Sequence, residues 1–322
     1  MRCYLIATLD TIGARMLRFI TLVGAACWLG AHAGAQVENP GFVFRSDARL
    51  VVLHATVVDA DGHLVTDLPR SAFRVFEDGV EQVIKLFRRE DAPVSLGLVI
   101  DSSGSMLRKR EKVKAAALAL VHASHPQDEV FIINFNERAW LDTGFTSDIA
   151  RLKEGLGRGE PQGITAMRDA VRLALEHLWR QGERDKKVVL VVTDGEDNAS
   201  AIGLKYLVRA AQQTGILIYT LGLLGEAGRE ATARAKDELD ALTQATGGQS
   251  WYLDDVTQSE QVALEVARDI RNQYTLAYTP SNQALDGAYR RIKVTVAGSQ
   301  PLTVRTRTGY YAGPAPSSAT TP

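Results

Sequence analysis

The sequence predicts an α/β fold: a doubly wound, mostly parallel sheet flanked by helices, with an accessory β-sandwich built from flanking N- and C-terminal strands. Three observations predict it. Between residues 95 and 278, short apolar runs alternate with long helical patterns, which is how a parallel sheet with right-handed crossovers reads. One of those runs, Val188-Val189-Leu190-Val191-Val192, is apolar without a break, as a strand covered on both faces must be. The segments on either side instead alternate apolar and polar residues around turn signals, the pattern of antiparallel strands.

The chain opens on a leader. Arg18 supplies positive charge, Phe19 to Leu29 an apolar stretch, and Ala33-Gly34-Ala35 a small-x-small site. That layout predicts a secretory signal peptide over 1–35, cleaved near Ala35-Gln36. The apolar stretch is short of the ~20 residues a bilayer span needs. The residues before Met16 carry Asp10 and do not resemble a signal n-region, so Met16 is an alternative start. Gly24-Ala25-Ala26-Cys27 only weakly resembles a lipoprotein signal. Cleavage removes Cys3 and Cys27, the two cysteines of the chain, and with them disulfide scaffolds, cysteine zinc sites and cysteine nucleophiles. It also removes three arginines and one aspartate, a net +2, so the charge moves from -1 to -3. Neither value selects nucleic acid or an anionic membrane as partner. The 322 residues are 45% hydrophobic and 23% charged, ordinary for a folded globular chain. No later segment is long and apolar enough to cross a bilayer. The expected location is secreted or periplasmic.

Residues 36–92 form the expected N-terminal β segment. Leu50–Val58 is rich in β-branched residues, Asp59-Ala60-Asp61-Gly62 turns, and Phe73–Phe76 and Val83–Phe87 flank Glu77-Asp78-Gly79. Asp-Gly between alternating runs is a strong hairpin signal. Residues 93–280 form the α/β unit. Its expected strands are 95–100, 130–134, 188–193, 216–221 and 250–253, and its expected helices 109–123, 166–180, 204–213, 231–245 and 259–272. Residues 281–312 return to strands at 289–296 and 302–307, and are expected to pair with 36–92. Both flanks are too small to fold alone with confidence. Residues 313–322, rich in Pro, Ser and Thr, have the composition of a disordered tail.

The chemistry sits at strand ends, where open parallel sheets bind ligands. The first strand ends in Asp101-Ser102-Ser103-Gly104-Ser105-Met106. Spacing by two lets one loop turn the oxygens of Asp101, Ser103 and Ser105 inward. The central strand ends in Thr193-Asp194-Gly195, and Gly163-Ile164-Thr165 precedes the helix from Ala166. Two carboxylates and three hydroxyls are hard oxygens that suit Mg²⁺ first, or Mn²⁺ or Ca²⁺. Two aspartates cancel a divalent charge and hydroxyls add none, so such a metal stays electrophilic and attracts one more anionic oxygen. A Glu or Asp side chain of a protein or peptide partner is the natural donor. Gly104, Met106, Gly163, Gly195 and Glu196 are the expected rim, the glycines allowing close approach.

At these residues the chain resembles a von Willebrand factor type A domain. Asp101-x-Ser103-x-Ser105, Thr165 and Asp194 match the metal-ion-dependent adhesion site (MIDAS) of that family. The resemblance implies that the hydroxyls bind metal directly, the aspartates directly or through water, and that a ligand carboxylate completes the shell. Residues 73–82, Arg271-Asn272-Gln273-Tyr274 and Gly309-Tyr310-Tyr311 further resemble secreted bacterial members. The implied function is binding or adhesion, not catalysis.

Competing readings accompany this one. Asp59-Ala60-Asp61-Gly62 is half a calcium loop without the trailing ligand, so a hairpin turn is expected. His54, His63, His122, His125 and His177 form no His-Glu-x-x-His motif. The basic run Lys109–Lys114 reads as a solvated face, or as steering for an acidic partner. Asn198-Ala199-Ser200 fits a glycosylation sequon by coincidence in a bacterial-type protein. A scaffold with a merely stabilising metal is the first alternative function. A metal-assisted hydrolase using Ser103, Ser105 or metal-bound water is the second, weakened because no Gly-x-Ser-x-Gly elbow is present.

Overall fold

Val94–Asp101 is buried at every one of its 8 positions, and the architecture is arranged around that strand. The computed structural model describes residues 50–313 except 90, 160, 225–227 and 299. The expected leader over 1–35 with its cleavage point, both cysteines, residues 36–49, and the expected tail beyond Gly313 lie outside the described residues.

The first strands are β1 (Val51–Val58), β2 (Phe73–Glu77), β3 (Val80–Gln82), β4 (Ile84–Arg88) and β5 (Val94–Asp101). Then come α1 (Arg110–His122), β6 (Glu129–Phe135), β7 (Ala139–Thr146), α2 (Ile149–Arg158), α3 (Met167–Gln181) and β8 (Lys186–Thr193). They are followed by α4 (Leu204–Thr214), β9 (Leu217–Gly222), α5 (Arg229–Thr246), β10 (Ser250–Tyr252) and α6 (Ser259–Arg271). The last strands are β11 (Tyr274–Tyr278), β12 (Tyr289–Val296), β13 (Thr303–Arg305) and β14 (Gly309–Tyr311). Among the described residues, no helix is long and apolar enough to cross a membrane.

The central sheet runs β10-β9-β8-β5-β6-β7, parallel except for β7. Its unbroken apolar strands serve two cores. Val188, Leu190 and Val192 pack with residues of α1, α2 and α6, whereas Val189 and Val191 pack with α3, α4 and α5. Strand order reverses at β5, whose neighbours are β6 on one side and β8 on the other. The carboxyl ends of β5 and β8 therefore bound the crevice at the topological switch point.

The flanks form two further sheets, β13-β1-β11-β4 and β14-β12-β2-β3. Alternate residues of both, among them Leu53, Val75, Leu276 and Val294, enclose a common core. Strands from both flanks interleave: β12 pairs with β2, and β13 with β1. The β2–β3 hairpin turns on Asp78 and Gly79, with φ of 49° and 86°, as a type I′ turn requires.

Two features differ from the sequence-based expectation. Residues 139–158 hold an antiparallel edge strand and a helix where none was expected. Gly155 and Gly157 dilute the helical pattern, yet Gly155 is where α2 meets β7: a Cβ there would lie 2.1 Å from Thr143 Oγ1. Strand β11 falls inside the 93–280 span but pairs with β1 and β4, so the α/β unit closes at α6. The chain enters and leaves this unit side by side, where Arg271 bonds Asp91.

Candidate metal site

Asp101 closes β5, and its carboxylate is held from two directions. Oδ1 accepts the Ser103 N–H at 2.8 Å, and Oδ2 accepts the Thr193 hydroxyl at 2.6 Å from the end of β8. The chain then makes a 3₁₀ turn over Gly104–Arg108. That turn sets the Ser103 and Ser105 hydroxyls 3.1 Å apart. Ser105 donates to Asp194 Oδ1 at 2.7 Å. Asp101, Ser103, Ser105 and Asp194 thus share one polar chain across the switch point. Asp101, Ser103 and Asp194 are buried, while Ser105 is exposed at the mouth. Burial chiefly, with some repulsion from Asp194, pushes the Asp101 carboxyl up to about 6, against the bonds from Thr193 and Ser103. A cation among these hard oxygens would relieve that desolvated charge.

Thr165 is placed by two loops. Gly104 donates its N–H to the Gly163 carbonyl at 3.2 Å, which ties the serine turn to the segment preceding Thr165. On the other side Thr165 N–H bonds Asn198 Oδ1 at 2.9 Å, and the Thr165 carbonyl accepts the Asn198 and Ala199 N–H groups. Asp197 fastens the same junction. It accepts the Arg168 backbone N–H at 2.7 Å and pairs with the Arg168 guanidinium at 2.9 Å, capping α3 from outside. Asp197, one of two acidic residues following Asp194, is therefore a buried brace.

Several expected roles change. Met106, expected on the rim, is 1% exposed and packs with Leu98 and Val113 in the core, because the 3₁₀ turn carries it beneath the loop. Of the rim glycines, only Gly163 is conformationally required: its φ is +75°, and a Cβ would lie 1.9 Å from Glu137 Oε2. A Cβ on Gly104 would have ordinary contact and one on Gly195 would meet nothing within 4 Å. Glu196 is tied to Arg234 at 2.7 Å, which holds its carboxyl below the usual range. Lys109, expected on a solvated face, is buried and reaches Asp194 Oδ2 at 2.8 Å. Periodicity could not signal this, because a lysine at a helix start reads as surface. Leu107 and Ile164, not expected at the rim, flank the site in sequence and are 66% and 52% exposed.

The remaining polar residues have local work. Asp59, Asp61 and His63 lie close enough to share an ion, but Asp59 Oδ1 already accepts the N–H groups of Asp61 and His63, as in a hairpin turn. Among the described residues, no histidine hydrogen-bonds Ser103 or Ser105. His54 meets Thr275, and burial chiefly holds it down at about 3. His177 lies against Phe131 and Phe145.

Glu238 on α5 offers a pH test of the brace. It stands 3.5 Å from Arg168, and burial chiefly pushes its carboxyl up to about 7. The folded state thus keeps this proton at pH values where the unfolded chain has lost it. Its contribution is complete below the unfolded value and is lost as pH rises toward 7. Glu238→Gln should therefore match the parent at pH 5 and exceed it by about 1 kcal/mol at pH 8, with allowance for partial solvation. Urea unfolding at the two pH values checks this; equal differences at both would remove Glu238 as the titrating group.

Residues 96–196 match the family model described as von Willebrand factor type A domain. An uncharacterised protein of Synechocystis sp. is 26% identical over 174 residues, covering 52% of this chain and 39% of its own. The chain therefore spans well under half the length of that relative. Among solved structures, a von Willebrand factor type A protein from Catenulispora acidiphila aligns over 85% of this chain and 76% of its own, at 14% identity and TM-score 0.49. Proximal thread matrix protein 1 of the mussel byssus, described with a zinc-occupied MIDAS motif, aligns over 61% of this chain and 50% of its own, at 18% identity and TM-score 0.49.

Proposed function

From a chain whose residues 96–196 match the family model of the von Willebrand factor type A domain, we propose a metal-ion-dependent protein-binding module that works outside the cytoplasm, either secreted or periplasmic. The observation that carries this reading is the polar chain Asp101–Ser103–Ser105–Asp194 at the switch point, open to solvent at Ser105. Ser103, Ser105 and Thr165 would hold the cation by their hydroxyls, and Asp101 and Asp194 would hold it directly or through water. The bound cation, Mg²⁺ by the hardness of the donors or else Mn²⁺ or Ca²⁺, supplies an electrophilic position for one carboxylate oxygen of a partner. Around that position the chain presents the exposed apolar side chains of Leu107 and Ile164. A partner carboxylate set beside apolar groups fits such a surface. The hydrogen bond from Ser105 to a carboxylate, with no imidazole on either serine among the described residues, favours binding over hydrolysis.

The test is a thermal melt of the purified chain, stripped of metal and then titrated with Mg²⁺, Mn²⁺ or Ca²⁺, beside Ser105→Ala. This variant deletes one hydroxyl at the open face and leaves the bonds of Asp101 in place. At about 100 times Kd, a ligand of the native state adds roughly 2.7 kcal/mol, a rise of roughly 5–10 °C for a chain of this size. Ser105→Ala should lose at least half of it. No rise in the parent, or the same rise in both, would remove the metal reading.

A further inference from the structure

Helices α1 and α2 lie side by side over one face of the central sheet. Val113, Ala116, Ala117 and Leu120 of α1 and Leu152 and Leu156 of α2 enter a common core. What the pair turns outward is unevenly charged. Together α1 and α2 carry six Lys and Arg against two Glu, whereas α5 and α6 together carry five Lys and Arg against seven Asp and Glu. The acids around α2 are already engaged: Glu154 and Asp142 both pair with Arg158, at 2.8 and 3.0 Å, and Asp148 caps the helix. Arg108 in the 3₁₀ turn, Lys114 on α1, and Arg151 and Lys153 on α2 make no side-chain hydrogen bond or ion pair with any described residue. Lys114 is half-buried and the other three are exposed. Arg110, at the start of α1, bonds the Gly157 carbonyl at the end of α2. Lys114 Nζ stands 3.7 Å from where a Cβ on Gly157 would lie. From Gly157 back to Arg151 the row continues for about 9 Å of helix. It begins at the crevice, since Arg110 and Lys114 line a cavity of about 20 Å³ together with Asp101 and Ser102.

We propose that the α1–α2 seam is a docking surface for an acidic segment of a protein partner, separate from the metal position and independent of any ion there. Charge complementarity names the occupant. A row of unpaired cations attracts an anionic chain, and the attraction is strongest at low ionic strength. The surroundings of the seam select a protein over a uniform polyanion. Glu111 of α1 is exposed, and so are Asp254, Asp255 and Glu260 on the far side of α1, where the Ser259 hydroxyl bonds the Lys112 carbonyl. A nucleic acid or sulfated glycan, charged at every unit, would run into these carboxylates. A protein segment can be acidic opposite the seam and neutral beyond it. The net charge of -1 for the whole chain also gives no general attraction for polyanions.

The experiment is fluorescence anisotropy of a labelled oligoglutamate peptide titrated with the full chain in EDTA, at low salt and at about 150 mM. The parent should bind the peptide at low salt and lose affinity severalfold at the higher salt. Lys114→Glu combined with Lys153→Glu should weaken binding by roughly tenfold or more. Lys205→Glu reverses an exposed charge on α4 and should leave binding unchanged, as should Ser105→Ala. If the double reversal does not fold, Lys114→Gln with Lys153→Gln replaces it and should show a smaller loss of the same kind. No binding at low salt, or equal binding by the parent and the double variant, overturns the proposal and leaves the metal reading standing. Binding that requires added Mg²⁺ and is lost in Ser105→Ala would put the peptide at the metal position, which overturns the seam and supports the metal reading. Tighter binding of heparin or single-stranded DNA than of oligoglutamate, lost in the double variant, overturns the choice of a protein partner.

Discussion

Asp269→Ala should lower the unfolding free energy by roughly 3–5 kcal/mol, the usual cost of breaking a buried pair from one side. Asp269 lies on α6 and joins four elements. Oδ1 accepts from Arg305 of β13 at 2.6 Å, and Oδ2 accepts from Tyr219 of β9 at 2.7 Å and from Thr56 of β1 at 3.5 Å. Gln273 closes the network by donating to Thr56 at 3.0 Å and to Tyr219 at 3.1 Å. Alanine would leave a guanidinium 22% exposed and a fully buried phenol without their acceptor. In a chain of this size the loss is a fall of roughly 6–20 °C in Tm. Adding Arg305→Met should recover part of it, since removing both charges costs less than removing one. A fall below about 1 kcal/mol would mean that water replaces the lost acceptor. The sandwich and the α/β unit would then be joined by their other hydrogen bonds, such as Thr308 N–H to the Ala245 carbonyl at 3.3 Å and Gln212 to the Tyr289 hydroxyl at 3.0 Å.

Gly248→Ala should cost about 3 kcal/mol or more, by forcing backbone against backbone. The last turn of α5 ends in Gly247 with φ of 89°, and both Gly247 and Gly248 donate to the Thr243 carbonyl at 2.9 and 3.0 Å. A Cβ on Gly248 would stand 1.8 Å from the Ile218 carbonyl oxygen of β9. No rotamer relieves that contact, so β10 must leave β9. Gly195→Ala is the control: a Cβ there meets nothing within 4 Å, and its effect should lie within about 0.5 kcal/mol. Denaturant unfolding of the pair decides it; similar losses in both would mean that flexibility, not space, selects glycine at 248.

The order of the α/β unit was legible because its signal is redundant. Five strands and five helices repeat two periods, and the central strands are apolar throughout since both faces are covered. What escaped has physical causes. Strand β7 is an edge whose register shifts twice against β6, so its alternation is broken. Helix α2 hides behind two glycines, of which Gly155 is required by close packing against Thr143. Strand β11 is short, and nothing local distinguishes a strand of the sandwich from one of the central sheet. At the site, spacing and strand ends picked out Asp101, Ser103, Ser105 and Asp194, which the structure joins by hydrogen bonds. The brace from Asp197 to Arg168 and the reach of Lys109 to Asp194 depend on loops folding back. Residue type alone ranks both as surface.

The interleaving of the two flanks has a mechanical consequence. Tension applied between Leu50 and Gly313 would be carried by β1 against β11 and β13, by β12 against β14 and β2, and by the core between those sheets. The α/β unit would hang beside that line of force, because the chain enters and leaves it at neighbouring points joined by Asp91 and Arg271. Stretching the molecule would shear the sandwich first. A partner gripping the crevice would instead pull on β5 and β8, which sit in the middle of the six-stranded sheet, the part of the fold most resistant to being peeled apart.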